Sequence, residues 1–315
     1  MADLLFGTGG VPLTTKSKST EAGIERIGQL GLGLMELEFV HGVRMSEDMA
    51  QRVAKIKAKH KVRLTVHGPY YVNLAARDNK IFYGSIKYIT DAMLIGTIAG
   101  AESVTFHPGF YQTMSSKDVY KRVAEGIKKI FVKFQEQLIK NSIKKSALKL
   151  APELTGKPTQ FGDLEELVKL CQDFQASELR FCFDFAHKFA RSNGKFNTYE
   201  EFMRMLEYIF ENLGAEFLKQ MHIHVSAIMH SEKGEKNHVT MLASEAEYQD
   251  AGVNLPQGKE IMAELAKKHK AAGSAFNWRD LLRALKKSDV GGFVVCESPN
   301  LEMDALLMQA YYRNL

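Results

Sequence analysis

The chain has 315 residues, 45% of them hydrophobic, which is ample for one large core. It has no apolar run of about 18 residues, so no membrane helix is expected. A net charge of +5 and a pI near 8.9 tolerate a polyanionic partner without demonstrating one.

The N-terminal run Met1-Ala2-Asp3-Leu4-Leu5-Phe6-Gly7 lacks a basic stretch and a long apolar core, so it does not read as a signal peptide. Short β-branched runs then alternate with segments of helical period. Strands are expected at Leu4–Phe6, Leu34–Val40, Arg63–His67 and Ser103–His107, then at Ala147–Glu153, Leu179–Asp184, Phe217–His224 and Gly292–Glu297. Helices are expected at Thr20–Leu30, Ser46–His60, Asn79–Ala99 and Ser116–Asn141, then at Asp163–Phe174, Thr198–Leu213, Trp278–Lys287 and Leu301–Tyr312. Ser46 and Asp163 stand before acidic first turns and read as N-caps. Eight strands alternating with eight helices imply an α/β fold with a parallel sheet, closed as a single (β/α)8 barrel over residues 1–315. Residues 226–274 break the rhythm as a long insertion between the seventh and eighth strands, with a short amphipathic helix near Lys259–Lys268. Cys171, Cys182 and Cys296 are too scattered for a disulfide framework; Cys182 and Cys296 read as buried thiols, and the cytoplasm is the expected compartment.

In such a barrel every strand ends on one rim, and six strand ends here stop at a polar metal-ligand type. His67 and His107 each follow an apolar run and precede Gly or Pro, at equivalent places in successive units. Glu153 and Glu297 end apolar strands, where a carboxylate is costly unless a cation compensates it. Asp184 and His187 stand three residues apart past another strand end. His222 and His224 share a strand face; His222 is the expected ligand, and His224 is a ligand, a donor to one or a substrate contact. Imidazole mixed with carboxylate suits divalent metal, zinc first and Mn2+ as the alternative. Glu36 and Glu38 alternate with apolar residues and fit a polar layer as well as catalysis. His230 and His269 lack such context and are expected at the surface. Tyr70 and Tyr71, on the loop after His67, fit either a nucleic-acid stack or ordinary packing. Arg44, Arg77, Lys157, Lys188, Arg191 and Lys195 lie on the same face as candidate phosphate contacts. No phosphate loop or dinucleotide fingerprint is present.

The ordered set His67-Gly68-Pro69-Tyr70-Tyr71-Val72-Asn73-Leu74, Phe106-His107-Pro108-Gly109, Glu153-Leu154-Thr155-Gly156, Asp184-Phe185-Ala186-His187 and Glu297-Ser298-Pro299-Asn300 resembles the endonuclease IV family of abasic-site nucleases, within the xylose-isomerase-like barrels. The resemblance implies a cluster of two or three zinc ions cutting double-stranded DNA 5′ to abasic sites, with Glu153 and Glu297 as catalytic carboxylates. It implies that His67, His107 and Glu153 hold one ion, that Glu153, Asp184, His222 and Glu297 hold a second, and that His187 holds a third. Tyr70 and Tyr71 match the loop that enters the duplex, with Arg44 nearby for phosphate. The family's Asp-x-His pair is replaced by Glu235-Lys236-Asn237-His238, which makes His238 the expected third-site ligand and Glu235 the second candidate. Thr240-Met241-Leu242-Ala243 and His224-Val225 also depart from the family pattern and mark a divergent branch. The rival reading is a one-metal sugar isomerase or epimerase using Glu153, Asp184, His222 and Glu297. Metal content separates the two, and a monomer is expected in either case.

Overall fold

The computed structural model describes residues 3–241, 243–253 and 276–315. The expected helix near Lys259–Lys268, and His269, lie outside the described residues. The chain opens with β1 (Leu4–Gly9), α1 (Thr20–Gln29), β2 (Leu34–Glu38), α2 (Glu47–His60), β3 (Arg63–His67), α3 (Asn79–Ala99) and β4 (Ser103–Phe106). Next come β5 (Gly109–Phe110), α4 (Ser116–Lys140), β6 (Lys149–Pro152), β7 (Gln160–Phe161), α5 (Leu164–Asp173), β8 (Cys182–Asp184) and α6 (Phe185–Arg191). After these run α7 (Tyr199–Leu213), α8 (Ala215–Leu218), β9 (Met221–Val225), β10 (Ala227–Ser231) and β11 (Gly234–Val239). The described residues end with α9 (Glu245–Asp250), α10 (Trp278–Lys287), β12 (Gly292–Cys296) and α11 (Glu302–Asn314).

Eight parallel strands form one sheet in the order β6-β4-β3-β2-β1-β12-β9-β8. Its two ends meet through the parallel bridges Leu150↔Leu179 and Glu153↔Cys182, which bring the sheet round into a (β/α)8 barrel. Local chemistry sets the helix starts. Ser46 accepts the Met49 N–H to cap α2, while Asp163 with Glu166, and Thr198 with Glu201, form capping boxes on α5 and α7. Alternation in β8 sends Phe183 outward to stack on Phe185 at 4.0 Å, and Phe185 in turn meets Phe202 of α7 at 5.9 Å. Cys182 and Asp184, on the other strand face, are left inside the barrel.

Three local features depart from the sequence expectation. Phe217 belongs to the one-turn helix α8, so the seventh barrel strand starts at Met221. The two-residue pair β5–β7 was not expected, because elements that short carry no period. Residues 227–239 form an antiparallel hairpin, β10–β11, that leans back on the rim. No helix among the described residues is long and apolar enough to cross a membrane.

Candidate metal centre

The ligand-type residues converge at the C-terminal ends of the barrel strands. Among the described residues, three groups arise at this rim, each with ligand atoms within 4.8 Å of one another: His67 with His107 and Glu153; Glu153 with Asp184, His224 and Glu297; and Asp184 with His187 and His238. Glu153 belongs to the first two groups and Asp184 to the last two, so the three are joined.

Glu153 sits at the hub and is 1% exposed. His67 Nε2 lies 3.3 Å and His107 Nε2 3.5 Å from its Oε2, while His187 Nδ1 lies 3.2 Å from its Oε1. Burial raises the Glu153 carboxyl, but the charges of His107 and His224 outweigh that and hold it well below the usual carboxylate range. Burial likewise pulls His67 down, and the adjacent Glu153, with Glu38 and Glu36 behind it, lifts it to about 10. His67 Nδ1 hydrogen-bonds the Gly68 carbonyl at 2.8 Å, which leaves Nε2 to face the cluster.

Asp184 ends β8 and caps α6 by accepting the His187 N–H at 2.7 Å through Oδ1. Its Oδ2 is buried with no hydrogen-bond partner. Burial, reinforced by Glu297 and Glu153 against the opposing pull of His187, raises its carboxyl to about 6. His187 Nδ1 hydrogen-bonds the Leu154 carbonyl at 2.9 Å, and Nε2 turns toward Glu235 and His238, each 3.5 Å away. Glu297 Oε1 lies 3.2 Å from His224 Nδ1, and that imidazole with His238 overcomes burial to hold the Glu297 carboxyl at about 2. An unpartnered buried Asp184 oxygen, an unpartnered His224 Nδ1 and a dense set of N and O donors fit divalent cations.

The position of His222 differs from its expected role. It lies with Cys182 and His224, and its Nε2 is 3.0 Å from Glu36; it is absent from the four-residue group with Glu153, Asp184 and Glu297. His224 takes that place. Parity along a strand fixes the face but not the height, and two residues are about 6.6 Å along β9, enough to move an imidazole down one layer. Glu36 is fully buried in that lower layer, where Thr65 Oγ1 donates to it at 2.7 Å; Glu38 is exposed at the mouth.

The hairpin supplies the residues that sequence spacing located without a mechanism. The Glu235 N–H donates to the Gly156 carbonyl at 2.9 Å, which seats the hairpin against the turn after Glu153. A Cβ on Gly156 would stand 2.6 Å from Glu235 Oε2 and 2.9 Å from His187, so only glycine admits this approach. The available signal was Lys233-Gly234 between short β-rich runs, and Gly234 does adopt a left-handed φ of 90°.

On the rim, Tyr70 is 57% and Tyr71 60% exposed, and the Tyr70 ring lies 5.5 Å from that of His67. Arg44 is exposed beside His41 on the loop after β2, and Arg77, Lys157 and Lys195 are exposed as well. Lys188 and Arg191 are not free: both pair with Asp163, and Arg191 Nη1 also donates to the Lys157 and Gln160 carbonyls. His230 is half-buried rather than open to solvent and packs edge-on against Phe189 at 4.7 Å.

Comparison with known proteins gives three kinds of match. The profile of the xylose isomerase-like TIM barrels matches residues 24–313. An uncharacterized protein of Methanocaldococcus jannaschii is 36% identical over 99% of this chain and 98% of its own length. A probable endonuclease 4 of Aquifex aeolicus is 26% identical over 52% of this chain, so the chain spans about half of that relative, 55% of its length. Among solved structures, endonuclease IV from Thermus thermophilus superposes with a TM-score of 0.62 at 19% identity, covering 98% of this chain and 100% of that one. A D-tagatose 3-epimerase-like protein gives 0.60 at 15% identity, over 98% and 96% of the two chains. At these identities the two structures speak to the fold.

Proposed function

The chain belongs to the xylose isomerase-like TIM barrel family, and from that premise we propose that its rim cluster is a multi-zinc centre hydrolysing the DNA backbone 5′ to abasic sites. The observation that carries this reading is the joining of three ligand groups through Glu153 and Asp184, more donors than one cation needs. The sequence similarity to probable endonuclease 4 proteins points the same way.

His67, His107 and Glu153 would hold one ion; Glu153, Asp184, His224 and Glu297 a second; Asp184, His187 and His238 a third, with Glu235 beside it. Such ions, when bound, polarise a phosphoryl oxygen and make a nearby water more acidic. Around them the chain orients its own groups. The Gly68 and Leu154 carbonyls fix the rings of His67 and His187 so that both present Nε2 to the cluster. Glu153, shared by two of the groups, would help hold more than one cation, and Glu297 would complete the second group on its more open side. Tyr70 and Tyr71 stand ready to stack where a base is missing, which favours lesions that cost little to unstack. Arg44 contacts a phosphate from the adjacent loop.

Incision of a duplex carrying one abasic site, with and without a chelator, tests this. Nicking at the lesion that the chelator abolishes is expected, and a metal-replete protein that leaves the abasic strand intact overturns the reading. One observation favours a second reading, sugar isomerisation or epimerisation on a single ion: the group Glu153, Asp184, His224 and Glu297 is complete without the hairpin. His238→Asn separates the two. It removes incision under the first reading and spares sugar chemistry under the second.

A further inference from the structure

His224 is wholly buried, yet neither of its ring nitrogens has a hydrogen-bond partner. Nδ1 faces the rim, and Nε2 faces down to Glu36 Oε1 at 3.0 Å. In that lower layer His222 Nε2 lies 3.0 Å from Glu36 Oε2. Both contacts are short, but the angles miss, so His222 Nε2, His224 Nε2 and Glu36 Oε1 all remain without a hydrogen bond. Cys182, level with His222 on the neighbouring strand, brings a sulfur within 4.8 Å of both imidazoles. Buried orphan atoms of this kind are rare and call for an occupant.

We infer a second metal site inside the barrel, below the rim centre: a zinc-class ion held by Glu36, Cys182, His222 and His224, with His224 bridging the two levels. The ligand atoms of Cys182, His222 and His224 lie within 4.8 Å of one another, and a Glu36 oxygen stands 3.0 Å from each Nε2, whereas atoms about 2.0–2.3 Å from a tetrahedral ion lie about 3.3–3.8 Å apart, so small shifts bring the four together. One sulfur, two imidazoles and one carboxylate suit zinc and disfavour calcium or magnesium. Supporting contacts are in place: Ser103 Oγ lies 3.0 Å from His222 Nδ1, and Thr65 donates to Glu36 Oε2. On binding, the Cys182 S–H bond breaks and the sulfur pair forms the bond to the ion; where His224 also ligates a rim ion through Nδ1, its one remaining N–H bond breaks, the freed nitrogen pair forms that second bond, and both protons leave to solvent. A cavity of about 430 Å³ at the opposite, N-terminal end of the barrel has His222 in its lining, so the site is approached from below. Its consequence for the rim is mechanical, since an ion on Nε2 locks the ring that presents Nδ1 upward.

The test is the electronic spectrum and metal content of full-length protein loaded with cobalt(II). The rim ligands contain no sulfur, so a thiolate-to-cobalt charge-transfer band reports the lower site alone. The band is expected in the wild type, in Cys171→Ser and in Cys296→Ser. It should vanish in Cys182→Ser with the loss of one ion per chain, and Glu36→Gln should lose the same ion. A wild type without the band, or a band that survives in Cys182→Ser, overturns the inference. Should Cys182→Ser fail to fold, the wild-type spectrum and Glu36→Gln decide. Protein that nicks abasic DNA without the band removes this site and leaves the proposed function standing; a band without nicking does the reverse.

Discussion

Asp163 carries several jobs at once: it caps α5, accepts from the Leu164 N–H at 2.8 Å, and pairs with Lys188 and Arg191. Burial raises its carboxyl, but Lys188 and Arg191 prevail and hold it below the ordinary value. A depressed carboxylate stabilises the fold above its unfolded pKa, about 3.9, and that contribution fades as pH falls through the lower folded value. Asp163→Asn should therefore cost about 3 kcal/mol at neutral pH, because it strands a buried lysine. The gap between variant and wild type, measured by denaturant titration, should narrow in acid below about pH 4. A gap constant down to the lowest pH at which the chain folds would show that the charge pair is irrelevant. His224 and His222 give a second residue-scale test. Replacing a ligand should cost more than the 10–100-fold typical of a group that only supports one, about 100-fold or more. His224→Asn should thus lower incision further than His222→Asn, and equal losses would count against the assignment of His224 to the rim.

Among the elements, the β10–β11 hairpin is the most exposed to a single change. Gly156→Ala inserts a methyl 2.6 Å from Glu235 Oε2, so the hairpin must lift and carry His238 from His187. Incision should fall at least about 10-fold, the lower bound for disturbing a ligand's support, while helix content by circular dichroism stays unchanged. Unaltered incision would mean that the hairpin takes no part in the site. The loop after β3 makes a different prediction. Each aromatic that stacks on a base contributes about 1–3 kcal/mol, so Tyr70→Ala and Tyr71→Ala should each weaken abasic-duplex binding about 5- to 150-fold. Binding that is indifferent to both would assign these side chains to packing.

At the scale of the molecule, the proposed metal would link function to stability. A ligand held at 1,000 times its dissociation constant adds about 4 kcal/mol, and a chain of this size gains about 2 °C per kcal/mol. Chelation should lower the melting temperature by about 8 °C, and a calorimetric trace indifferent to chelator would argue against a metal centre. Much of the barrel was legible from sequence because each strand is an apolar run closed by a breaker; Arg63–His67 and Asn79–Ala99 fall where the pattern puts them. His67, His107 and Glu153 were legible for the same reason, since a polar residue ending such a run has one rim to occupy. Height within the barrel was not legible. The alternation that put His222 and His224 on one face gives no hint that Glu36, nearly 190 residues upstream, fills the layer beneath them. The hairpin escaped notice because its strands are short and its seat is a carbonyl, that of Gly156, which no side-chain pattern reports.

The closure between β6 and β8 rests on two isolated bridges where the other neighbours share continuous ladders, and one of these bridges is Glu153↔Cys182. The hub carboxylate of the rim and the thiol of the lower layer therefore sit on opposite lips of the barrel's thinnest seam. Cations gripped there would act as rivets across it. Amide protons that stitch the seam, those of Leu154 and Arg180, should exchange with deuterium sooner once the ions are stripped, whereas those between β1 and β12 should keep their pace.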